Sequence, residues 1–162
     1  MRLNIPFFLC LMAGAMGGCL PDPNYPVEPT LAFDAVIVRP DGTAEMVLRF
    51  TDGDGDVGLT QADTLPPHFC ATCPHHYNLV GEYQLLNDTG WVTPILPIPF
   101  AYRVPVAEPT GSSPALDGTI AIELSSWGLL GAEGDSIRFL WTLWDRALNG
   151  SDVARTPAFP AP

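Results

Sequence analysis

The stretch LAFDAVIVRPDGTAEMVLRFT, residues 31–51, decides the fold. Leu31 to Val38 and Ala44 to Thr51 both read with a period of two; in the second run Met46, Leu48 and Phe50 alternate with Glu45, Arg49 and Thr51. That period marks a strand with one face in a core. Pro40-Asp41-Gly42 separates the runs, and Asp-Gly tolerates the positive φ that a tight reversal needs, so the pair is a hairpin. Outward from it, Tyr77 to Leu86 reads as a third strand with Asn87 to Gly90 as its turn. Thr119 to Leu124 reads as another, and Ile137, Phe139, Trp141 and Leu143 point one way along the next. A short last strand is expected around Val153 to Phe159. Trp91 to Pro97 and Phe100 to Val106 carry Pro94, Pro97, Pro99 and Pro105, which confines them to sheet edges or irregular extended chain. Asp52 to His76, Glu108 to Gly118 and Arg146 to Asp152 are loops. No helical period and no internal repeat appears. The expectation is all-β: a single antiparallel β-sandwich of about seven strands, with Trp141 or Trp127 at the aromatic centre.

Composition agrees and sets limits. The chain has 162 residues, room for one domain with a short leader. Hydrophobic residues make up 47%, enough to bury a core, and 18 Pro with 15 Gly suit short strands and turns. Lysine is absent. Seven Arg stand against 18 carboxylates, a formal charge of −11. Such a field repels phosphate backbones and anionic headgroups, which argues against nucleic acid as a partner and against membrane binding by charge.

The N-terminus has another route to a membrane. Arg2 precedes an apolar run from Ile5 to Met16, then Gly17, Gly18 and Cys19. This is the order of a secretory signal, and the run is too short to span a bilayer, which takes about 20 apolar residues. Met16-Gly17-Gly18-Cys19 resembles a bacterial lipobox. The resemblance implies cleavage after residue 18, acylation of Cys19 and, with Leu20 next, sorting to the outer membrane. Several acyl chains at about 0.8 kcal/mol per buried CH₂ anchor a protein stably. Pro21, Pro23, Pro26 and Pro29 then favour an extended tether over residues 19–30. The expected organisation is leader 1–18, tether 19–30 and domain 31–162.

Two segments carry candidate chemistry. In Asp52-Gly53-Asp54-Gly55-Asp56-Val57-Gly58, with Asp63 beyond, carboxylates alternate with glycines. A tight loop of this kind can aim several oxygens at a hard cation such as Ca²⁺. Asp52, Asp54, Asp56 and Asp63 are the candidate ligands. Val57 at the turn position, Asp63 in place of Glu and strands as flanks exclude an EF-hand. The competing reading is a turn in which the aspartates cap backbone N–H groups. The second segment, His68 to His76, holds Cys70, Cys73, His75 and His76. Pro74 after the second cysteine excludes a c-type haem. A local Cys70–Cys73 disulfide, a Zn²⁺ or copper site, and a redox Cys-x-x-Cys all fit these residues; in an exported chain, with Cys19 acylated, the disulfide is favoured. Asp88-Thr89-Gly90 has the letters of an aspartic-protease triplet, but Trp91 follows it and the turn reading prevails. No nucleophile elbow, phosphate loop or dinucleotide fingerprint occurs.

Phe50 to Gly58 and the closing Asp145-Arg146-Ala147-Leu148-Asn149-Gly150-Ser151, together with the lipobox, resemble uncharacterised lipoproteins of Bacteroidota. The Asp-Arg-Ala-x-Asn segment is also similar to the last hairpin of immunoglobulin-like surface domains. The resemblance implies an immunoglobulin-like sandwich and an envelope location and brings no chemistry. In such a sandwich, the loop after the second strand and the loop before the last lie at one end. Asp52, Asp54 and Asp56 would then approach Asp145, Arg146 and Asn149, with Arg146 as a counter-charge that competes with a metal.

These readings add up to a non-enzymatic, lipid-anchored envelope module that binds a protein or glycan, or serves a structural role, with Ca²⁺ ordering one loop end. The alternative is a metal- or redox-handling protein built on Cys70, Cys73, His75 and His76.

Overall fold

The turn at residues 39–43 forms as its chemistry dictates. Gly42 takes φ +82°, Asp41 Oδ1 accepts from Thr43 N at 3.0 Å, and Arg39 N donates to Thr43 O at 2.8 Å. The computed structural model, which describes residues 24–63, 65–68, 73–109, 112–127 and 130–161, places this hairpin at the edge of a three-stranded sheet. The leader, Cys19 and Cys70 lie outside the described residues.

The strands are β1 (Thr30–Val38), β2 (Ala44–Asp52), β3 (Leu79–Asn87), β4 (Gly90–Val92), β5 (Phe100–Tyr102), β6 (Leu116–Leu124), β7 (Ser136–Leu143), β8 (Ala154–Arg155) and β9 (Phe159–Pro160). One sheet has the order β1-β2-β6. The other runs β4-β3-β7-β8, with β5 also on β3 and β9 also on β7. All pairings are antiparallel. Among the described residues there is no helix. The chain is an all-β sandwich of two antiparallel sheets, and among the described residues β6 has a strand partner on one side only.

Alternation places the core. Ala44, Met46, Leu48 and Phe50 of β2 and Ile137, Phe139, Trp141 and Leu143 of β7 are buried, facing one another between the sheets. Phe139 stacks on Trp141 with centroids 5.8 Å apart, and Phe100 meets Phe139 edge-on at 5.2 Å. Both expected tryptophans are buried: Trp141 lies in the centre and Trp127 packs edge-on against Phe159. Gly81 lies opposite Trp141 in the β3–β7 register, where a Cβ would come within 2.6 Å of the indole. Glycine is the side chain that lets the largest core ring lie across β3.

Three features depart from simple alternation. A register shift between Phe33 and Ala35 leaves Asp34 bulged, so β1 sends Val36 inward and leaves Ile37 half exposed. The proline-rich segment shrinks to the short β4 and β5, because Pro94, Pro97 and Pro99 have no N–H to give a ladder. Near the C-terminus, side chains replace strand pairing. Leu143 N donates to Ser151 Oγ at 3.0 Å and Phe139 N to Thr156 Oγ1 at 2.9 Å. Buried hydroxyls thereby satisfy an edge of β7 that the two-residue β8 and β9 leave unpaired.

The last residues of the expected tether are part of this body. Gly53 N donates to Pro26 O at 2.7 Å and the Tyr25 hydroxyl to Asp117 Oδ2 at 2.9 Å. A side chain at Gly53 would overlap the Tyr25 and Pro26 carbonyls, so glycine here allows the incoming chain to lie on the end of β2.

Replacing Gly81 by Val is expected to destabilise the fold by about 1–3 kcal/mol through overpacking against Trp141. Urea denaturation followed by tryptophan fluorescence checks this: the midpoint should fall with the slope unchanged.

Candidate metal centre

β2 and β7 each carry their inward alternation one step past the last apolar residue. After Phe50 the next inward position is Asp52, and after Leu143 it is Asp145. Asp52 is 0% exposed and Asp145 2%. Two carboxylates thus cap the core at the same end of both sheets. The loops carrying them interlock: Val57 bridges Asp145, Arg146 N donates to Asp56 O at 3.3 Å, and Ala147 N to Asp56 Oδ2 at 3.0 Å. Asp56 N in turn donates to Asp52 Oδ2 at 2.8 Å. Gly55, at φ +76°, makes the bend possible, and a side chain there would overlap the Pro114 carbonyl.

The outcome is a cluster of three acids. One carboxylate oxygen each from Asp52, Asp56 and Asp145 lies within 4.8 Å of the other two. Asn149 holds Asp145 by both oxygens, donating from N at 2.8 Å and from Nδ2 at 2.7 Å. Leu148, at φ +71°, turns the chain so that Asn149 can do so. Asp52 Oδ1 and Asp56 Oδ1 are buried and have no hydrogen-bond partner among the described residues. Burial, reinforced by the charges of Asp54, Asp56 and Asp145, pushes the Asp52 carboxyl up to about 6 against the pull of the Asp56 N–H. Burial also raises Asp56, with Asp145 and Asp54 adding to the shift.

The other expected ligands lie elsewhere. Asp54 is exposed and does not belong to the cluster. Asp63 closes its own turn, accepting from Thr60 N at 2.6 Å and Thr60 Oγ1 at 2.8 Å. Arg146, which topology nominated as counter-charge to the aspartate loop, directs its guanidinium to Asp63 Oδ1 at 2.9 Å.

Such a donor set suits one class of ion. All three donors are carboxylate oxygens, the choice of a hard cation rather than of Zn²⁺ or copper, which favour nitrogen and sulfur. The two unpartnered oxygens, Asp52 Oδ1 and Asp56 Oδ1, are the lone pairs a cation would take up. Asp145, fixed by Asn149, would be the third ligand.

The Cys/His segment is arranged differently. Cys73 is disulfide-bonded, and Cys70, its expected partner, lies outside the described residues. The His75 ring packs edge-on to Trp144 at 5.8 Å and His76 to Tyr77 at 4.5 Å. A residue that sequence reading passed over organises this region. Arg103, just after β5, donates to the carbonyls of His68 and His76 at 2.8 Å each, of Thr60 at 3.2 Å and of Asp63 at 3.3 Å. Asn78, 2% exposed, ties the same end together: Val104 N donates to its Oδ1 at 2.7 Å and Trp144 N to its carbonyl at 2.8 Å. Four carbonyls converging on one guanidinium leave no sequence spacing to detect.

Two outcomes follow from this geometry. In EDTA, a carboxyl raised in the folded state favours folding while it is protonated. That contribution is present below the ordinary carboxylate range and is lost as pH rises through about 6. The metal-free chain should therefore lose stability between about pH 4 and pH 6, and Asp52→Asn should flatten that slope in thermal melts. The lowered Asp41 and Asp63 act in a separate, more acidic window, where their contribution is lost as pH falls. Separately, Arg103→Ala should cost on the order of 2 kcal/mol and speed limited proteolysis within residues 59–76, read by mass spectrometry of the fragments. No protein-family model, curated protein or solved structure matches this chain.

Proposed function

We propose that the chain is a non-enzymatic binding module of the bacterial envelope, held to a membrane through acylated Cys19 and completed by one Ca²⁺ on Asp52, Asp56 and Asp145. One observation carries the cation: Asp52 Oδ1 is wholly buried, has no partner among the described residues, and sits among two further carboxylates while Arg146 is engaged with Asp63. An uncompensated buried charge is costly, and a divalent ion removes that cost for all three acids together. The lipobox at Met16 to Cys19 and the resemblance to Bacteroidota lipoproteins support the anchor. Docking of Tyr25 and Pro26 beside Gly53 supports a cation-ordered end on the tether side of the domain. The disulfide at Cys73 supports a stapled loop in an exported protein over a thiol metal or redox site.

Added Ca²⁺ at about a hundred times its dissociation constant should stabilise the purified chain by about 2.7 kcal/mol. For a chain of this size that is a Tm rise on the order of 5–10 °C. EDTA should reverse it, and Asp52→Asn or Asp145→Asn should abolish it. Calorimetric titration showing no Ca²⁺ uptake at millimolar ion, with Tm indifferent to EDTA, sinks the cation reading. Cys19→Ser should move the protein from the membrane to the soluble fraction and stop its labelling by a fatty-acid probe; unchanged fractionation sinks the anchor.

A further inference from the structure

The sheet β1-β2-β6 ends at β6, a nine-residue strand that pairs with β2 on one side. Among the described residues no strand lies along its other side. In the immunoglobulin constant-type order a fourth strand occupies that position. Beside this open edge is a groove of about 420 Å³, running between the C-terminal half of β6 and the segment that enters β5. Its apolar walls are Leu96, Ile98, Phe100, Tyr102, Leu124 and Leu130. Ile98 is 82% exposed and its neighbour Ile95 100%, a rim of large apolar surface left uncovered by the described residues.

The structure assigns the place of this missing strand to an extended segment of a partner protein, apolar at alternate positions and carrying Lys or Arg at those between. A strand added to β6 would supply main-chain partners to the open edge and set every second side chain into the groove, the mode in which sheet edges capture peptides. Charge selects the remaining positions. Glu123 and, at the tether end of the strand, Asp117, which accepts from the Tyr25 hydroxyl, are exposed on the outer face of β6, no cationic residue lies on that strand, and the chain as a whole carries −11. The same charges oppose a second copy. Antiparallel pairing of two β6 strands centred on Ile120 would set Asp117 of one against Glu123 of the other, a destabilising like-charge pair. The groove also lies at the end of β6 remote from Asp52, which pairs with Leu116 in the register, whereas Leu124 pairs with Ala44. A partner reaching the groove therefore approaches away from the docked tether. This inference rests on the reading of the domain as a binding module and names its partner.

The test uses the purified full-length chain in detergent with Ca²⁺ and three dye-labelled synthetic nonapeptides: Lys alternating with Ile and Val, Glu in place of Lys, and a scramble of the Lys peptide that breaks the alternation. Fluorescence anisotropy should show saturable binding of the alternating Lys peptide and at least about tenfold weaker binding of the other two, a difference of one good contact. Ile98→Asp and Glu123→Lys, both at exposed positions, should each weaken the Lys peptide about tenfold, and Glu123→Lys should narrow the preference for Lys over Glu. Equal binding of the scramble, or binding indifferent to both substitutions, overturns the proposal as charge attraction alone. No binding at millimolar peptide overturns it too, as does sedimentation showing a dimer that Ile98→Asp dissolves, or displacement of the Lys peptide by a fatty acid in competition for the groove. The same samples are melted with Ca²⁺ and with EDTA. A retained Ca²⁺ response with lost peptide binding removes the partner and leaves the cation-ordered module standing, and loss of both removes the two readings together.

Discussion

A buried carboxylate oxygen without a partner is poorly tolerated in a protein interior, and Asp52 ends β2 with one such oxygen, Oδ1, among the described residues. The surrounding structure is organised around it. The Asp56 N–H reaches one of its oxygens, the bend at Gly55 makes that possible, and the bend also brings Asp56 itself into the cluster. Asp145 arrives from the other sheet because Val57 and Asp145 bridge, joining the loop after β2 to the chain after β7. Both sheets are thus closed at one end by polar contacts that converge on three like charges. Such a concentration of negative charge at a packed junction is stable when the acids are protonated or when a cation lies among them.

The same end of the sandwich receives the incoming chain and the long loop. Pro26 hydrogen-bonds to Gly53, next to Asp52, and Arg103 gathers the carbonyls of Thr60, Asp63, His68 and His76. Order at the aspartate cluster and order in the approach to the domain are coupled through one stretch of backbone. The opposite half of the molecule is built on different principles. There the C-terminal half of β6 has no second strand partner among the described residues, prolines interrupt the chain before β5, and apolar side chains line a groove. One end of the domain is polar, closed and charge-laden; the other is apolar and open. A polar end is suited to being set by an ion, and an open strand edge to being covered by a partner.

Much of the fold was legible in the residues. The alternation in 31–51, the Asp-Gly turn and the Ile137, Phe139, Trp141, Leu143 series each correspond to a strand facing the core, because a period of two has few other physical realisations. The bulge at Asp34 was not legible: it is settled by how β1 must bend over the core, and Leu31, Phe33, Ala35 and Ile37 by themselves describe a regular strand. The prolines foretold weak edge strands but not where pairing would stop. At the candidate site a further signal was present, since extending each alternation by one residue places Asp52 and Asp145 inward. That signal separates them from Asp54 and Asp63, which the glycine spacing groups with Asp52 and Asp56.

By itself the sequence determined the local and the additive properties: two-residue periods, turns at Gly and Pro, a net charge of −11, and an apolar N-terminal run that leads to Cys19. Each depends on neighbours along the chain or on sums over it. Tertiary structure alone decided which acids share a site, where Arg146 directs its charge, that Arg103 holds a distant loop, and that among the described residues β6 pairs on one side only. These depend on distances between residues as far apart in the chain as Asp56 and Ala147. Such distances are set when two sheets pack face to face, by the volume of the side chains between them and not by any spacing along the chain.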